Sequence, residues 1–213
     1  MKLSRIFFLF ATAFIALSWF SETKIRKKTK ALYIPKSEKT YASNNKAEEK
    51  LQQKALEAKG YVLQKRFNND ICFLIDMSLP SGQNRFFIYD LKNDSLKASA
   101  LVAHGNCYEY WLEGRRFSNV VGSGCTSLGK YKIGYHYTGK FGYSYKLYGL
   151  DSSNSNAFER TVVLHGHSCI PDDETTDEIC QSNGCPTVSP NFLNELKSII
   201  NTSKKPVLLW IYE

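Results

Sequence analysis

Seven short runs of hydrophobic and aromatic residues follow one another from about residue 70 to the end of the chain. They are rich in Val, Ile, Tyr and Phe, and stretches containing Gly, Ser and Asn separate them. Their sequences are "ICFLIDM", "RFFIYDL", "LKASALVAH", "KYKIGYH", "YSYKLYG", "RTVVLHG" and "PVLLWIY". Runs of this composition and spacing predict the β-strands of a sandwich or barrel. We therefore expect a mainly β fold with one or two helices.

Two segments have the pattern of helices. In "SPNFLNELKSIIN", Ser189 suits the amino-terminal cap, Pro190 suits the first turn, and one face is apolar. The segment "NKAEEKLQQKALEAKG" consists of helix-forming residues and closes with Gly60, which favours a helix end there. Its apolar face is thin, so we expect a peripheral helix.

The first 30 residues have the pattern of an export signal. Two positive charges precede the largely apolar run from Ile6 to Phe20, and a basic polar stretch follows. The run is shorter than the roughly 20 residues that a membrane span needs, which favours a cleaved signal peptide. The bulky residues beside the candidate cleavage site leave an uncleaved membrane anchor as the alternative. Either way, we expect the rest of the chain in the periplasm or cell envelope.

The sequence thus predicts three parts. Residues 1–20 are the signal peptide or anchor, residues 21–60 are a basic linker with the peripheral helix, and residues 61–213 form one folded domain. Residues 1–40 carry nine Lys or Arg and two Glu, so they hold +7 of the net charge of +8. The remaining residues are nearly neutral and contain no zinc-finger spacing or RNA-binding aromatic motif. We expect no nucleic-acid partner and membrane contact only through the amino-terminal segment, and the oligomeric state stays open.

The six cysteines take on meaning from the expected export, because disulfides persist outside the cytoplasm. Six cysteines allow fifteen pairings. Cys169 and Cys180 flank the acidic segment "CIPDDETTDEIC", and Cys107 and Cys125 flank another irregular stretch, so bridges could close both loops. The fifth, Cys72, lies in an apolar run, where a cysteine usually behaves as a small buried hydrophobe. The sixth cysteine is then left without an evident structural role.

That sixth cysteine, Cys185, lies in the turn-like segment "QSNGCPTV". A nucleophilic thiol needs partial exposure, a histidine nearby and backbone N–H groups aimed at the developing oxyanion. Gly184 allows the main chain to approach a substrate closely, and the flexible "SNG" segment can present amides. The predicted strand "RTVVLHGHSC" supplies a candidate base in His165. If the strand stays regular, His165, His167 and Cys169 emerge on one side of it.

Two other interpretations of these residues stay open. The first is a zinc site built from His165, His167 and a cysteine, since imidazole and thiolate both suit zinc. The second is an exported wall-binding or structural domain without catalysis, in which Cys185 is tied in a disulfide.

Six segments together are similar to a known family. They are "FFIYDL", "LVAHG", "FSNVVGSGCTSLGKYKIG", "YSYKLYGLDSSNSNAFERTVVLHG", "SNGCPTV" and "LLWIY". In this combination, the chain from about residue 71 to 212 resembles the murein L,D-transpeptidase catalytic domain (YkuD-like), in the branch with an SxGCP motif. Asn183 stands where many members carry histidine, and Pro186 and Thr187 replace an aliphatic residue and an arginine.

The resemblance implies roles for the catalytic residues and an acyl-transfer reaction. Cys185 would be the nucleophile and His165 the base, the Gly166 carbonyl would orient the imidazole, and amides around Gly184 and Cys185 would form the oxyanion hole. The thiolate would attack the carbonyl between diaminopimelate and D-alanine of a peptidoglycan stem peptide. A diaminopimelate amine of a second stem would resolve the thioester into a 3-3 cross-link, or water would do so in an L,D-carboxypeptidase. No metal or other cofactor is required.

The resemblance also implies residues that contact substrate. Further candidates at the binding site, each with a packing role as the alternative, are Ser182, Asn183, His104, Ser127, Tyr145, Arg160 and His167. Because it joins the candidate base to the candidate nucleophile, the acidic segment 172–178 raises the question of a lid over the cleft.

Overall fold

The computed structural model of the chain describes residues 36–213, with side chains from residue 46 onward. The predicted signal peptide or anchor and most of the basic linker lie outside the described residues. Residues Ala42–Glu213 form one compact unit. In the described part of the chain, no helix is both long and apolar enough to cross a membrane.

Eight strands form one mixed sheet in the order β3-β2-β1-β8-β4-β5-β6-β7. The strands are β1 (Ile71–Asp76), β2 (Phe86–Asp90), β3 (Ser95–Ala100), β4 (Gly129–Gly139), β5 (Gly142–Gly149), β6 (Val163–Gly166), β7 (Thr187–Val188) and β8 (Leu208–Tyr212). The β1–β8 and β6–β7 pairs are parallel, and the other pairs are antiparallel. All seven predicted strands are confirmed. The two-residue strand β7 is too short to leave a period-2 pattern in the sequence.

Helix α2 (Pro190–Thr202) packs on one face of the sheet and helix α1 (Lys36–Gln64) on the other. Ser189 caps α2 by accepting a hydrogen bond from the Phe192 amide, as predicted. The apolar residues of α1, which include Leu51, Ala55, Ala58 and Val62, are buried with side chains of β1, β2 and β8. The helix continues through Gly60 to Gln64, so the prediction that Gly60 ends it is wrong. Packing against the sheet offsets the cost of about 1 kcal/mol for a helical glycine.

The two edges of the sheet approach each other through the segment that follows β3. Ala103 forms an antiparallel bridge with Thr187 of β7, and its amide donates to the Thr187 carbonyl at 2.8 Å. The sheet therefore curls towards closure, which a flat open sheet would not do. The expected fold class, mainly β with two helices and barrel-like curvature, is confirmed.

Candidate active site

Cys185 lies in the segment 182–187, here called the thiol turn. The segment begins at the isolated bridge between Ser182 and Gly105 and ends at Thr187, the first residue of β7. Both of its arms are held by residues 103–106. The Ser182 amide donates to the His104 carbonyl at 2.8 Å, and the Asn106 amide donates to the Ser182 carbonyl at 2.7 Å. Together with the Ala103–Thr187 bridge, these bonds fix where the turn begins and ends.

Ser182 shapes the thiol turn from within. Its hydroxyl donates to the Cys185 carbonyl at 2.7 Å and accepts from the Gly184 amide at 3.2 Å. The Cys185 amide has no acceptor among the described residues, so it is free to donate to a bound oxyanion. Asn183 is exposed at the tip of the turn.

Two glycines let the thiol turn lie directly on the neighbouring chain. Gly184 has φ +106°, and a Cβ there would come 2.7 Å from the Cys125 carbonyl oxygen. A Cβ on Gly105 would come 2.7 Å from the Gly184 Cα. Backbone meets backbone at both places, so neither contact can relax by a change of rotamer.

His165 lies in β6 with both ring nitrogens engaged. Its Nδ1 is 3.1 Å from the Gly166 carbonyl oxygen, and its Nε2 is 3.0 Å from Thr187 Oγ1. A carbonyl only accepts, so Nδ1 carries the proton and Nε2 of the neutral ring is the acceptor. Phe141, from the β4–β5 connection, stacks on the imidazole with ring centroids 4.5 Å apart. Burial lowers the pKa of His165, although the Gly166 carbonyl acts in the opposite direction.

The Cys185 thiol is free and partly exposed. Its Sγ lies 4.0 Å from the carbonyl oxygen of Thr161, a residue with φ +55°. Positive φ is rare for a β-branched residue, and such conformations cluster at functional sites. Burial raises the pKa of the thiol, while a hydrogen bond from the Val163 main chain and the charge of Arg160 act in the opposite direction.

Arg160 is a fixed positive charge beside the thiol turn. Its guanidinium donates to the Ser118 carbonyl at 2.7 Å, to the Ser127 hydroxyl at 3.0 Å and to the Cys125 carbonyl. These acceptors belong to the loop before β4, so Arg160 joins that loop to the chain entering β6. Ser127 is buried, and its hydroxyl lies 2.6 Å from the Tyr131 hydroxyl. Arg160 and Ser127 thus stabilise the loop on which the thiol turn rests.

The structure contains the two loop-closing bridges that the spacing allowed, and it buries Cys72 as expected. Disulfides join Cys107 to Cys125 and Cys169 to Cys180. Cys72 is a buried free thiol in β1. Because Cys125 contacts both Gly184 and Arg160, the first disulfide braces the loop on which the thiol turn rests.

The His104 side chain is buried against Arg85. Its Nδ1 accepts from Nη2 of Arg85 at 3.0 Å, and Arg85 is itself fully buried with bonds to the Val102 and Leu79 carbonyls. Burial lowers the pKa of His104 to about 4, with further lowering by Arg85 and Arg115 and a smaller opposing effect of the Gly114 main chain. Its side chain therefore packs the sheet end, while its carbonyl holds Ser182.

The hydrogen bonds of two other candidates, Tyr145 and His167, do not reach the thiol turn. Tyr145 is buried in the core that α2 covers, and its hydroxyl donates to Asn201 Oδ1 at 2.8 Å.

β6 ends at Gly166, so the regular strand that would align His165, His167 and Cys169 is not present. His167 is exposed, and its Nδ1 accepts from the Cys169 amide at 3.1 Å. Cys169 is in a disulfide, and residues 36–213 contain no cluster of three or more His, Cys, Asp or Glu suited to a metal ion.

The acidic segment docks on the β1–β2 connection. The Thr175 amide donates to the Gly82 carbonyl at 2.9 Å, and the Asn84 amide donates to Glu174 Oε1 at 2.7 Å. At its start, Asp172 accepts from the Asn191 side chain. These hydrogen bonds join the segment to the β1–β2 turn and to α2, and none of them reaches the thiol turn.

Sequence reasoning did not find Thr187 and Phe141, which contact the imidazole of His165. In the sequence, Thr187 stands out only as a departure from the family motif. Its two-residue distance from Cys185 could have indicated a side chain on the same side as the thiol. Phe141 offered no comparable signal, because a hairpin tip reaches across the sheet only after folding.

We predict that Gly184→Ala disrupts the thiol turn more than Gly122→Ala, a matched control with φ +78° and open space around its Cβ. Both variants place alanine at positive φ, which costs about 1–2 kcal/mol. Gly184→Ala must also displace the Cys125 carbonyl, which adds about 1–3 kcal/mol. Urea unfolding and the rate of Cys185 alkylation measure both effects. Equal losses in the two variants would contradict the tight contact.

We predict that burial of neutral His104 makes the protein lose stability in acid. The unfolded chain takes up the proton near pH 6.5 and the folded chain only near pH 4, so this contribution is full above pH 6.5 and falls as pH drops towards 4. The loss amounts to about 3 kcal/mol. The free energy of unfolding between pH 7 and 4 should fall more steeply for the wild type than for His104→Gln. Parallel curves would exclude this role.

The chain was compared with known proteins. A family model described as the L,D-transpeptidase catalytic domain matches residues 43–212. A search of curated proteins found no match.

Solved structures of three bacterial proteins are also similar to the chain. An L,D-transpeptidase from Xylanimonas cellulosilytica aligns with 16% identity and a TM-score of 0.38 over 70% of this chain and 63% of that one. An L,D-transpeptidase from Mycobacterium smegmatis aligns with 8% identity and a TM-score of 0.39 over 68% of this chain and 59% of that one. The helical cell shape determining protein Pgp2 from Campylobacter jejuni aligns with 13% identity and a TM-score of 0.43 over 67% of this chain and 47% of that one. The chain thus matches about half to two thirds of the length of these proteins. The family assignment rests on the family model, which covers most of the chain: this protein belongs to the L,D-transpeptidase catalytic domain family.

Proposed function

We propose that the chain is a cysteine acyltransferase that acts on peptidoglycan stem peptides. The observation that carries the proposal is the thiol of Cys185, free and partly exposed, on a turn whose next strand pairs with β6 at His165. The tautomer of that histidine leaves Nε2 as a proton acceptor. A thiol, a base and a free backbone amide are the groups that acyl transfer through a thioester needs.

In the proposed reaction, proton transfer accompanies attack. The Thr187 hydroxyl turns to the Cys185 carbonyl, which frees the lone pair of His165 Nε2, and the thiol turns from the Thr161 carbonyl towards the ring. The thiol gives its proton to Nε2 as the sulfur attacks the carbonyl carbon that joins diaminopimelate to D-alanine, and the Cys185 amide donates to the resulting oxyanion. The imidazolium returns the proton to the leaving amine, and D-alanine departs as the C–N bond breaks.

The second half of the reaction releases the acyl group. An amine of a neighbouring stem attacks the thioester while His165 accepts its proton, and the sulfur leaves with that proton. The product is a 3-3 cross-link. Water in place of the amine gives a shortened stem peptide, which is the carboxypeptidase outcome.

Thr187 gives Nε2 of His165 a partner in both protonation states. Its hydroxyl lies 3.0 Å from Nε2 and 3.2 Å from the Cys185 carbonyl oxygen. With a neutral ring, the hydroxyl donates to Nε2. With the imidazolium, it accepts from Nε2–H and donates to the Cys185 carbonyl instead. We propose Thr187 as a positioning residue that holds the ring while its charge changes.

We also propose that the protein is exported and works in the cell envelope. The support is the amino-terminal pattern of charged and apolar residues together with two disulfides, which persist in oxidising compartments.

The first functional prediction concerns the nucleophile. Incubated with a disaccharide tetrapeptide, the wild type should release D-alanine and form a cross-linked dimer or a tripeptide, which mass spectrometry distinguishes. Cys185→Ala should do neither, whereas Cys72→Ala, which removes the buried free thiol, should retain both the products and the alkylation of Cys185. D-alanine release by Cys185→Ala would refute the assignment.

The second functional prediction concerns Thr187. Thr187→Val keeps the volume but removes the hydroxyl, so the imidazolium loses its acceptor and we expect kcat to fall about tenfold or more. The charged imidazolium bonds to the Thr187 hydroxyl more strongly than the neutral ring does, so loss of the hydroxyl disfavours protonation of His165. The acidic limb of the plot of kcat against pH should therefore move to lower pH. Thr187→Ser should restore rate and profile. A Val variant with the wild-type profile would show that the hydroxyl only packs.

A further inference from the structure

Lys146 of β5 is a cation without an acidic partner beside the proposed catalytic groups. Its side chain is half-buried, and no acidic side chain among residues 46–213 lies within 4.0 Å of its Nζ. Its Nζ instead lies 5.2 Å from the ring centroid of Phe158 and 5.7 Å from that of Tyr137. The rings are the neighbours that the structure gives this ammonium, so it is free to pair with an acidic group of a ligand.

The sheet register places Lys146 on the same face as the base. Lys146 pairs with Val163, and Ser144 pairs with His165, in the antiparallel β5–β6 ladder. Directly opposed residues share a face, and so do residues two apart along a strand. Lys146 is therefore about 7 Å along the same face from the pair that contains His165.

A cavity of about 330 Å³ lies at this position. The residues that line it include the aromatic Tyr137 and Phe158, the aliphatic Val163 and the charged Lys146. Thr161 also lines it, and the Thr161 carbonyl is the group 4.0 Å from Cys185 Sγ. Thr161 therefore links the cavity to the thiol.

We infer that this cavity binds the side chain of the stem-peptide residue that supplies the scissile carbonyl, and that Lys146 pairs with a carboxylate at the end of that side chain. The inference rests on the proposed function. Attack requires the carbonyl carbon within about 3–3.5 Å of the sulfur, so the side chain of the same residue must enter the space next to the thiol. Aromatic and aliphatic walls suit its methylene groups, and an unpaired ammonium suits an acid at its end.

Two tetrapeptides that differ by one carboxylate test the inference. One carries diaminopimelate at the third position and the other carries lysine, which has the same aliphatic chain and ammonium without the acid. The wild type should favour the diaminopimelate peptide in kcat/KM by about tenfold or more, which corresponds to ~1.4 kcal/mol. Lys146→Met should bring the ratio close to one, and Lys146→Glu should favour the lysine peptide.

Lys132→Met is the matched control. Lys132 also lies over an aromatic ring, with Nζ 4.8 Å from the Tyr148 centroid, but it lines a different cavity. This variant should keep the wild-type preference. A wild type that processes both peptides equally, or a preference that Lys146→Met leaves intact, would overturn the inference while the proposed function stands.

A binding measurement separates the inference from the reaction. Calorimetry with Cys185→Ala and the same two peptides should show tighter binding of the diaminopimelate peptide, and adding Lys146→Met should remove the difference. If the wild type turns over neither peptide but this binding difference is present, the proposed function fails and the carboxylate site is supported. Equal binding of both peptides to Cys185→Ala counts against the site whatever the turnover.

Discussion

The contact between the thiol turn and residues 103–106 determines where the candidate nucleophile Cys185 lies. The Ala103–Thr187 bridge brings the two edges of the sheet together, and the bonds of Ser182 to His104 and Asn106 hold the other arm of the turn. Because β7 pairs in parallel with β6, the same arrangement aligns Thr187 with His165. Closure of the sheet and the geometry of the candidate site thus depend on the same contacts.

This constraint explains why small residues lie under the turn. A main chain supported on both sides by other main chain has no side-chain rotamer that could absorb a mismatch, and close packing makes such contacts sensitive to a single methyl group. The Cys107–Cys125 disulfide and Arg160 act on the same contact from the loop side, since both hold the carbonyl of Cys125 against Gly184. The site is supported mainly by backbone, and side chains reinforce it.

Local pattern predicted much of the fold and part of the candidate site. Seven strands and the capped helix α2 follow from composition and periodicity, which act over short distances along the chain. The spacing of the cysteines allowed the two bridges that the structure shows but left their pairing open. The end of α1 was misplaced because packing on the sheet outweighed the helix cost of Gly60. His104 was expected in the cleft, and its burial against Arg85 depends on pairing between distant segments, which no local pattern encodes.

The electrostatics of the proposed pair bear on when the thiolate forms. Burial raises the pKa of Cys185 and lowers that of His165, so both effects favour the neutral thiol and neutral imidazole over an ion pair. The Thr161 carbonyl suits a thiol proton and opposes a thiolate, while Thr187 gives Nε2 a donor in the same neutral state. An ion pair formed only as sulfur attacks carbon would pass its negative charge to an oxyanion that the Cys185 amide can stabilise. On the proposed mechanism, proton transfer therefore accompanies attack, and the resting thiol is protected from oxidants that react with thiolates.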